Sequence, residues 1–316
     1  MGKMGSMIGR IVTLTLNPAV DLASTADAVI PTHKIRTHDE HIDPGGGGVN
    51  VSRVIHALGG DTLALVLAGG VTGHLVVEML REAGVPTETL PLAERTRISL
   101  AVYDETAQQE YRFVPEGPSV SPAELRAALD AIDKTDGTWL VASGSLPRGV
   151  PDDIYATVSR ISAAHGMYFV LDTSGKALEV ALHTGLYLIK PSLRELEYIV
   201  GKTLPDAASQ DAEALQLVRS GAAGMVVVTL GADGALLATP NGVTRMKALE
   251  GPVRSAVGAG DAFLASMVLA LARGAGPSDA LAWGIAAGAA AIQSIGTARV
   301  TRAAVEACYS RLSSST

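Results

Sequence analysis

One cysteine among 316 residues, Cys308, cannot close an intrachain disulfide or supply a cysteine-rich metal site, and this scarcity fits a reducing, cytoplasmic setting. Aromatic residues are scarce as well, with 2 Trp, 7 Tyr and 3 Phe, so a core has to be built from Ala, Val, Leu and Ile. That composition suits parallel strands buried under helices and argues against an all-β design. Basic runs are lacking: 25 Lys and Arg against 32 Asp and Glu give a net charge of −7, which offers no footprint for a nucleic-acid backbone. The longest apolar run in the C-terminal third, Ala262 to Ala272, falls far short of the roughly 18 residues of a membrane span, so no membrane partner is expected. Neither Gly-x-Gly-x-x-Gly nor Gly-x-x-x-x-Gly-Lys-Ser/Thr occurs, which removes the signatures of a dinucleotide oxidoreductase and of a P-loop enzyme. The seven histidines include no His-Glu-x-x-His pattern, so no metal-hydrolase role is assigned.

What is present is apolar enough to fold, with 47% hydrophobic and 18% charged residues, and long enough for one large α/β domain over residues 7–316. Residues 1–6 read as a leader or expression remnant; their Met-Gly start fits a myristoylation pattern, but no second anchor accompanies it. A β-branched run at 10–16 stops at Asn17-Pro18 and predicts a first buried strand. A helix is expected from Val49 to Leu58, a strand from Thr62 to Leu67 and a helix from Leu75 to Ala83. Strands at 98–103 and 110–114 alternate polar and apolar residues, so the segments 22–44 and 96–115 are expected to form a small separate sheet, a candidate lid. From Ser121 onward, helices at 122–134, 152–164 and 176–183 alternate with strands at 138–142, 167–171 and 187–190. Strand 225–229, a hairpin of 235–237 with 243–247, and helices at 261–273, 279–293 and 301–312 complete the chain. Such βα alternation implies a parallel sheet with helices on both faces and ligands beyond the C-terminal strand ends.

Four segments stand where chemistry belongs. Gly45 to Gly48 precede a helix, where backbone N–H groups can approach sugar hydroxyls or a phosphate; a flexible turn is the plain alternative. Gly258-Ala259-Gly260-Asp261 opens the apolar helix, and although Asp there commonly caps, two flanking glycines suggest a general base beside an anion hole. Thr229 to Gly234 follows a buried strand and could equally be only a hairpin turn, and Lys190-Pro191-Ser192 through Glu195 could equally be only a capped helix start. Lys34 and Arg97 lie in the two candidate lid segments, where they could neutralise a phosphate dianion or serve simply as surface charges.

Taken together, Thr13 to Pro18 with Asp21, Gly45 to Gly48 with Val49-Asn50-Val51, Gly144-Ser145-Leu146-Pro147, Asp172-Thr173-Ser174-Gly175 and Gly258 to Asp261 resemble the phosphofructokinase B family of ribokinase-like sugar kinases, in order and over nearly the whole chain. The resemblance implies a three-layer αβα sandwich with a β-sheet lid, ATP and Mg²⁺ as cofactors, and phosphoryl transfer to a sugar hydroxyl. It makes Asp261 the catalytic base and Gly258, Ala259 and Gly260 the anion hole. It assigns Asp21, Gly46, Gly47, Asn50 and Ser145 to sugar hydroxyls, and Lys34 and Arg97 to a substrate phosphate. Lys190, Ser192, Thr229, Gly231 and Gly234 then fall on the ATP side and Glu195 on the water shell of magnesium, with Ser192 standing where the family usually has Asn. Many relatives use a monovalent cation such as K⁺, for which Val257, Ser294 and Gly296 are the ligands implied here. The four consecutive glycines and the segment Gln109 to Val114 look most like the minor type of 6-phosphofructokinase, a glycolytic enzyme; 1-phosphofructokinase, tagatose-6-phosphate kinase and a non-catalytic sensor on the same fold are the alternatives. A thin sheet with one apolar face needs a partner, which implies a homodimer through the lid.

Overall fold

The structure, a computed structural model, describes residues 9–252, 255, 257–294 and 297–313. The chain begins with β1 (Ile11–Thr15), β2 (Ala19–Ala26), β3 (His38–Gly45), α1 (Gly47–Ala57), β4 (Thr62–Gly69), α2 (Gly70–Glu82), β5 (Thr87–Leu92), β6 (Arg97–Asp104) and β7 (Gln109–Phe113). It continues through α3 (Pro122–Asp133), β8 (Trp139–Ser143), α4 (Ile154–Ala164), β9 (Tyr168–Asp172), α5 (Gly175–Ala181), β10 (Leu188–Ile189), α6 (Leu193–Val200) and α7 (Ala207–Arg219). It ends with β11 (Met225–Thr229), β12 (Ala235–Thr239), β13 (Gly242–Met246), α8 (Ala259–Ala272), α9 (Pro277–Ile292) and α10 (Arg302–Ser313).

Among the described residues nine strands make the central sheet in the order β13-β12-β11-β10-β9-β8-β1-β4-β5, parallel except where β12 pairs with β11 and β13. Alternation along each strand sends side chains to opposite layers. Ile11, Trp139, Val141 and Val227 pack against α1, α8, α9 and α10, while Val12, Leu14, Leu140, Leu171 and Val226 pack against α3 to α7. Helix α8 shows no polar stripe because every residue from Ala262 to Ala272 is buried between the sheet and α9. Cys308 is buried in α10.

The expected small sheet is present, with strand order β3-β2-β6-β7. One face carries Asp21, Ala23 and Thr25 of β2, Ser99, Ala101 and Tyr103 of β6, and Glu110 and Arg112 of β7, and lines a cavity of about 680 Å³. The opposite face carries Leu22, Ile42, Ile98, Leu100 and Phe113 beside the buried Val20, Ala26 and Val102, and part of it is open: Ile42 and Ile98 are each 49% exposed and Phe113 57%. The sheet thus turns its polar face to the cavity and leaves Ile42, Ile98 and Phe113 of its apolar face in the open, whereas an ordinary half-buried sheet turns its apolar face inward.

Candidate active site

The strand order reverses between β1 and β8, and a parallel sheet opens a crevice at such a point beyond the C-terminal strand ends. Asn17, just past β1, donates from Nδ2 to Glu116 O at 2.8 Å and to Ser145 Oγ, just past β8, at 3.1 Å. Arg97, at the start of β6, donates to Asn17 O at 2.9 Å, Pro115 O at 2.8 Å and Ser145 Oγ at 3.5 Å. Arg97 Nε and Asn17 Oδ1 are buried and have no hydrogen-bond partner among the described residues. Such orphaned atoms are rare in folded proteins, and two of them lie together at this crevice.

Glycine is required through 45–48 because α1 is pressed against the strand ends. A Cβ at Gly45 would meet the Asp21 carboxylate at 2.3 Å, one at Gly47 the Ser143 hydroxyl at 2.2 Å, and one at Gly48 Leu14 O at 2.6 Å. The close approach carries Asn50 into the interior, where its Nδ2 donates to Asp261 Oδ2 at 2.8 Å. Asp261 sits in the first turn of α8, but the N-cap is Gly258 at φ 76, and among the described residues no side chain caps this end. The capping alternative for Asp261 is thus absent, and the first-turn N–H groups stay available to an anion. The left-handed turn is held tightly: a Cβ on Gly258 would lie 2.6 Å from that of Ala298.

Burial pushes the Asp261 carboxyl up to about 6, with Asp172 adding to the rise, while the Asn50 hydrogen bond and Lys190 oppose it. Asp21 is likewise pushed up to about 6 by burial, against the pull of Thr297, Arg112 and Arg97. Lys190 Nζ pairs with Asp172 Oδ1 at 3.0 Å, with side chains 8% and 15% exposed, and stands 3.4 Å from where a Gly260 Cβ would be. Burial by itself would lower the Lys190 ammonium, but Asp172, Asp261 and Glu195 outweigh it and hold it above the usual range, charged beside the α8 N-terminus. An ionised Asp261 is the form that accepts a proton, so turnover is expected to climb as pH rises through about 6 and to level off above it. A kcat profile flat from pH 5 to 8 would contradict that expectation.

Beyond Gly260 a second, apolar cavity of about 530 Å³ is lined by Thr229, Gly231, Gly234, Leu249, Phe263 and Ile292 among others. The glycine turn thus separates a polar chamber under the small sheet from an apolar one beside β11. Ser192 and Glu195 form a capping box on α6: Ser192 N donates to Glu195 Oε2 at 2.7 Å and Glu195 N to Ser192 Oγ at 3.3 Å. The plain capped-helix alternative is therefore present, and the Ser192 hydroxyl is engaged in it. Lys34 is not brought to either chamber; it stands exposed between β2 and β3, and Arg112 is the cation that the small sheet adds near Asp21. Ser294 Oγ lies 2.9 Å from Ala291 O and 2.6 Å from Arg299 O, and Val257 O accepts from Ala298 N at 3.3 Å. Gly296, expected beside them, and the leader at 1–6 lie outside the described residues.

Asp172 and Arg112 join the site although the sequence singles neither out for a role. Asp172 does end a strand in the Asp-Thr-Ser-Gly turn, which is the available signal; its partner Lys190 lies on another strand end, and only the sheet order makes them neighbours.

A buried carboxylate at a glycine-flanked helix start, set between a polar and an apolar chamber, suits a phosphotransferase of the kinase class. The pfkB family carbohydrate kinase profile matches residues 14–303, and the chain belongs to that family. An ATP-dependent 6-phosphofructokinase isozyme 2 of Mycobacterium tuberculosis is 43% identical over 94% of this chain and 88% of that protein. The crystal structure of Escherichia coli phosphofructokinase-2 in complex with fructose-6-phosphate superposes with a TM-score of 0.91 at 34% identity, covering 96% of this chain and 99% of that one. The same E. coli protein in complex with potassium gives a TM-score of 0.92 at 35% identity, with the same coverage.

Proposed function

We propose that this chain transfers the terminal phosphoryl group of ATP to the 1-hydroxyl of fructose 6-phosphate, giving fructose 1,6-bisphosphate and ADP. The observation that carries this reading is the gathering of Arg97, Arg112 and Asp21 on the sugar side of Asp261, with Arg97 Nε and Asn17 Oδ1 buried and unpartnered. Two guanidiniums suit a phosphate dianion on the substrate, and Asp21, Asn50 and Ser145 suit its hydroxyls. In the reaction a bond forms between the sugar oxygen and the γ-phosphorus, the bond to the ADP oxygen breaks, and the hydroxyl proton passes to Asp261. The N–H groups at Ala259 and Gly260, together with the Lys190 ammonium, stabilise negative charge on the group in transit.

The apolar chamber suits the nucleotide base, with Thr229, Gly231 and Gly234 at its phosphate end. Glu195 and Asp172 are hard oxygen donors of the kind magnesium takes, and Glu195 is the residue proposed to hold its water shell; the ion supplies charge neutralisation on the phosphates when bound. Carbonyls of Ala291 and Arg299 converge on Ser294 Oγ, a hydroxyl with a single proton to give, and this carbonyl-rich corner next to Val257 suits a monovalent cation such as K⁺. A cytoplasmic setting accords with the lone cysteine, and among the described residues no helix is long and apolar enough to cross a membrane.

The test is ADP release with fructose 6-phosphate, tagatose 6-phosphate, fructose 1-phosphate and free fructose in parallel. Fructose 6-phosphate is expected to give the highest kcat/KM, and Arg97→Ala to raise its KM by about tenfold or more with a smaller change in kcat, since ground-state binding is lost. Free fructose used as well as fructose 6-phosphate would sink the reading.

The exposed apolar face of the small sheet supports a homodimer in which two such faces meet. Ile98→Glu is expected to convert a dimer seen by light scattering at micromolar concentration into a monomer. A wild-type chain that is monomeric under the same conditions would overturn this part of the proposal.

A further inference from the structure

Asp261 is set by Asn50, and Asn50 is in turn set by Arg53, one helical turn further along α1. The Arg53 guanidinium, 14% exposed, donates through Nη1 to Asn50 Oδ1 at 3.3 Å, Pro44 O at 3.2 Å and Thr297 O at 3.0 Å, and through Nη2 to Asp43 Oδ1 at 3.2 Å. Asp43, 4% exposed, also accepts from Arg299 at 2.8 Å and 3.0 Å and from Thr297 N at 3.1 Å. The same segment meets the catalytic turn, because Ala298 N donates to Val257 O and Ala298 packs on Gly258.

An amide side chain has two nearly isosteric orientations, and its neighbours decide between them. Guanidinium is a donor only, so Arg53 accepts no contact from an NH₂ group and admits the Asn50 amide with its carbonyl inward and its NH₂ toward Asp261. While Asp261 is ionised it favours that orientation too. Once it holds the substrate proton it could donate to a flipped carbonyl, and Arg53 is what forbids the flip.

We propose that Arg53, clamped by Asp43, is a positioning residue for phosphoryl transfer: it locks the Asn50 amide as a donor to Asp261. The inference rests on the reading of Asp261 as the base. Charged groups facing Asp261 are Asp172 of β9, Lys190 after β10 and Asp21 of β2; those facing Arg53 are Asp43, Arg299 and Asp21.

The experiment is the kcat–pH profile of Arg53→Met, Asn50→Ala and their double variant, with thermal melting alongside. Arg53→Met is expected to lower kcat by about 10- to 100-fold, the scale of a hydrogen bond to a charged group, and to move the acidic limb up by about one pH unit. KM for ATP should change less than about threefold. In the Asn50→Ala background Arg53→Met should cost less than about threefold more, because the route to Asp261 is already cut. An equal penalty in both backgrounds, or an unmoved limb, overturns the proposal. Arg53 reaches Asn50 and Asp43 with two different nitrogens, and Arg53→Lys keeps a charge for Asp43 but has one nitrogen in place of that fork, so a folded Arg53→Lys enzyme is expected to show the limb displaced; an unmoved limb there overturns it as well. Asp261→Glu separates the two failures. A limb indifferent to Asp261→Glu sinks the base reading, whereas a limb that follows Asp261→Glu and ignores Arg53 sinks the positioning alone.

Discussion

Asp261→Asn is expected to lower kcat by roughly a hundredfold to ten-thousandfold, the range of general-base catalysis, while substrate KM values change little. Asn keeps the size and the acceptor that Asn50 Nδ2 requires, but it cannot take the hydroxyl proton. Burial holds the folded pKa of Asp261 at about 6, above the unfolded value of 3.8, so ionising it costs stability as pH rises between those values, and above about 6 the cost is present in full. Removing the charge should therefore leave the melting temperature at pH 8 unchanged or higher. Asp261→Asn that melts earlier and retains turnover would make Asp261 a structural residue.

The second large effect concerns Lys190. Lys190→Met removes the cation beside Gly260 and leaves Asp172 buried without its partner, a loss that typically costs about 3–5 kcal/mol. It also removes one of the two influences that lower Asp261, so the acidic limb should move up together with a fall in kcat of a hundredfold or more. Stability and catalysis can be separated here. Pairing Lys190→Met with Asp172→Asn removes the stranded charge, since Asn can still accept from Ser143 Oγ, which reaches Asp172 Oδ2 at 3.1 Å. The double variant should recover most of the melting temperature and none of the turnover. Recovery of both would confine Lys190 to a structural role.

Much of this architecture is legible in the sequence because it is carried locally. The βα alternation from Ser121 onward and the apolar run of α8 announce a parallel sheet, and the two glycine clusters announce the starts of α1 and α8. Other features are quieter. Helix α2 begins at Gly70 rather than at Leu75, since Gly-Val-Thr-Gly is a poor helix former that only the packing of Gly73 under Ala68 and Thr96 makes helical. Helix α7 buries only Gln210, Ala214 and Val218, so its apolar stripe is thin, although Asp206 and Ser209 do spell a capping box. Strand β5 is an edge strand carrying Pro91, which weakens the strand pattern.

The site divides the same way. The residues that meet at Asn50 and Asp261, with the glycines, stand out in the sequence because each sits in a short motif. The Asp43–Arg53–Arg299 cluster joins residues separated by 10 and 256 positions and has no spacing to read. Lys34 shows the converse: a cation in the right segment need not reach the chamber, because the β2–β3 connection leaves it exposed.

The most direct test of the account is to incubate the protein with ATP, magnesium and fructose 6-phosphate and follow the products by ³¹P NMR. A new phosphomonoester on carbon 1 is expected, with the carbon 6 phosphate retained and ADP formed in equal amount. ADP without that ester, or transfer to free fructose in preference, would contradict it.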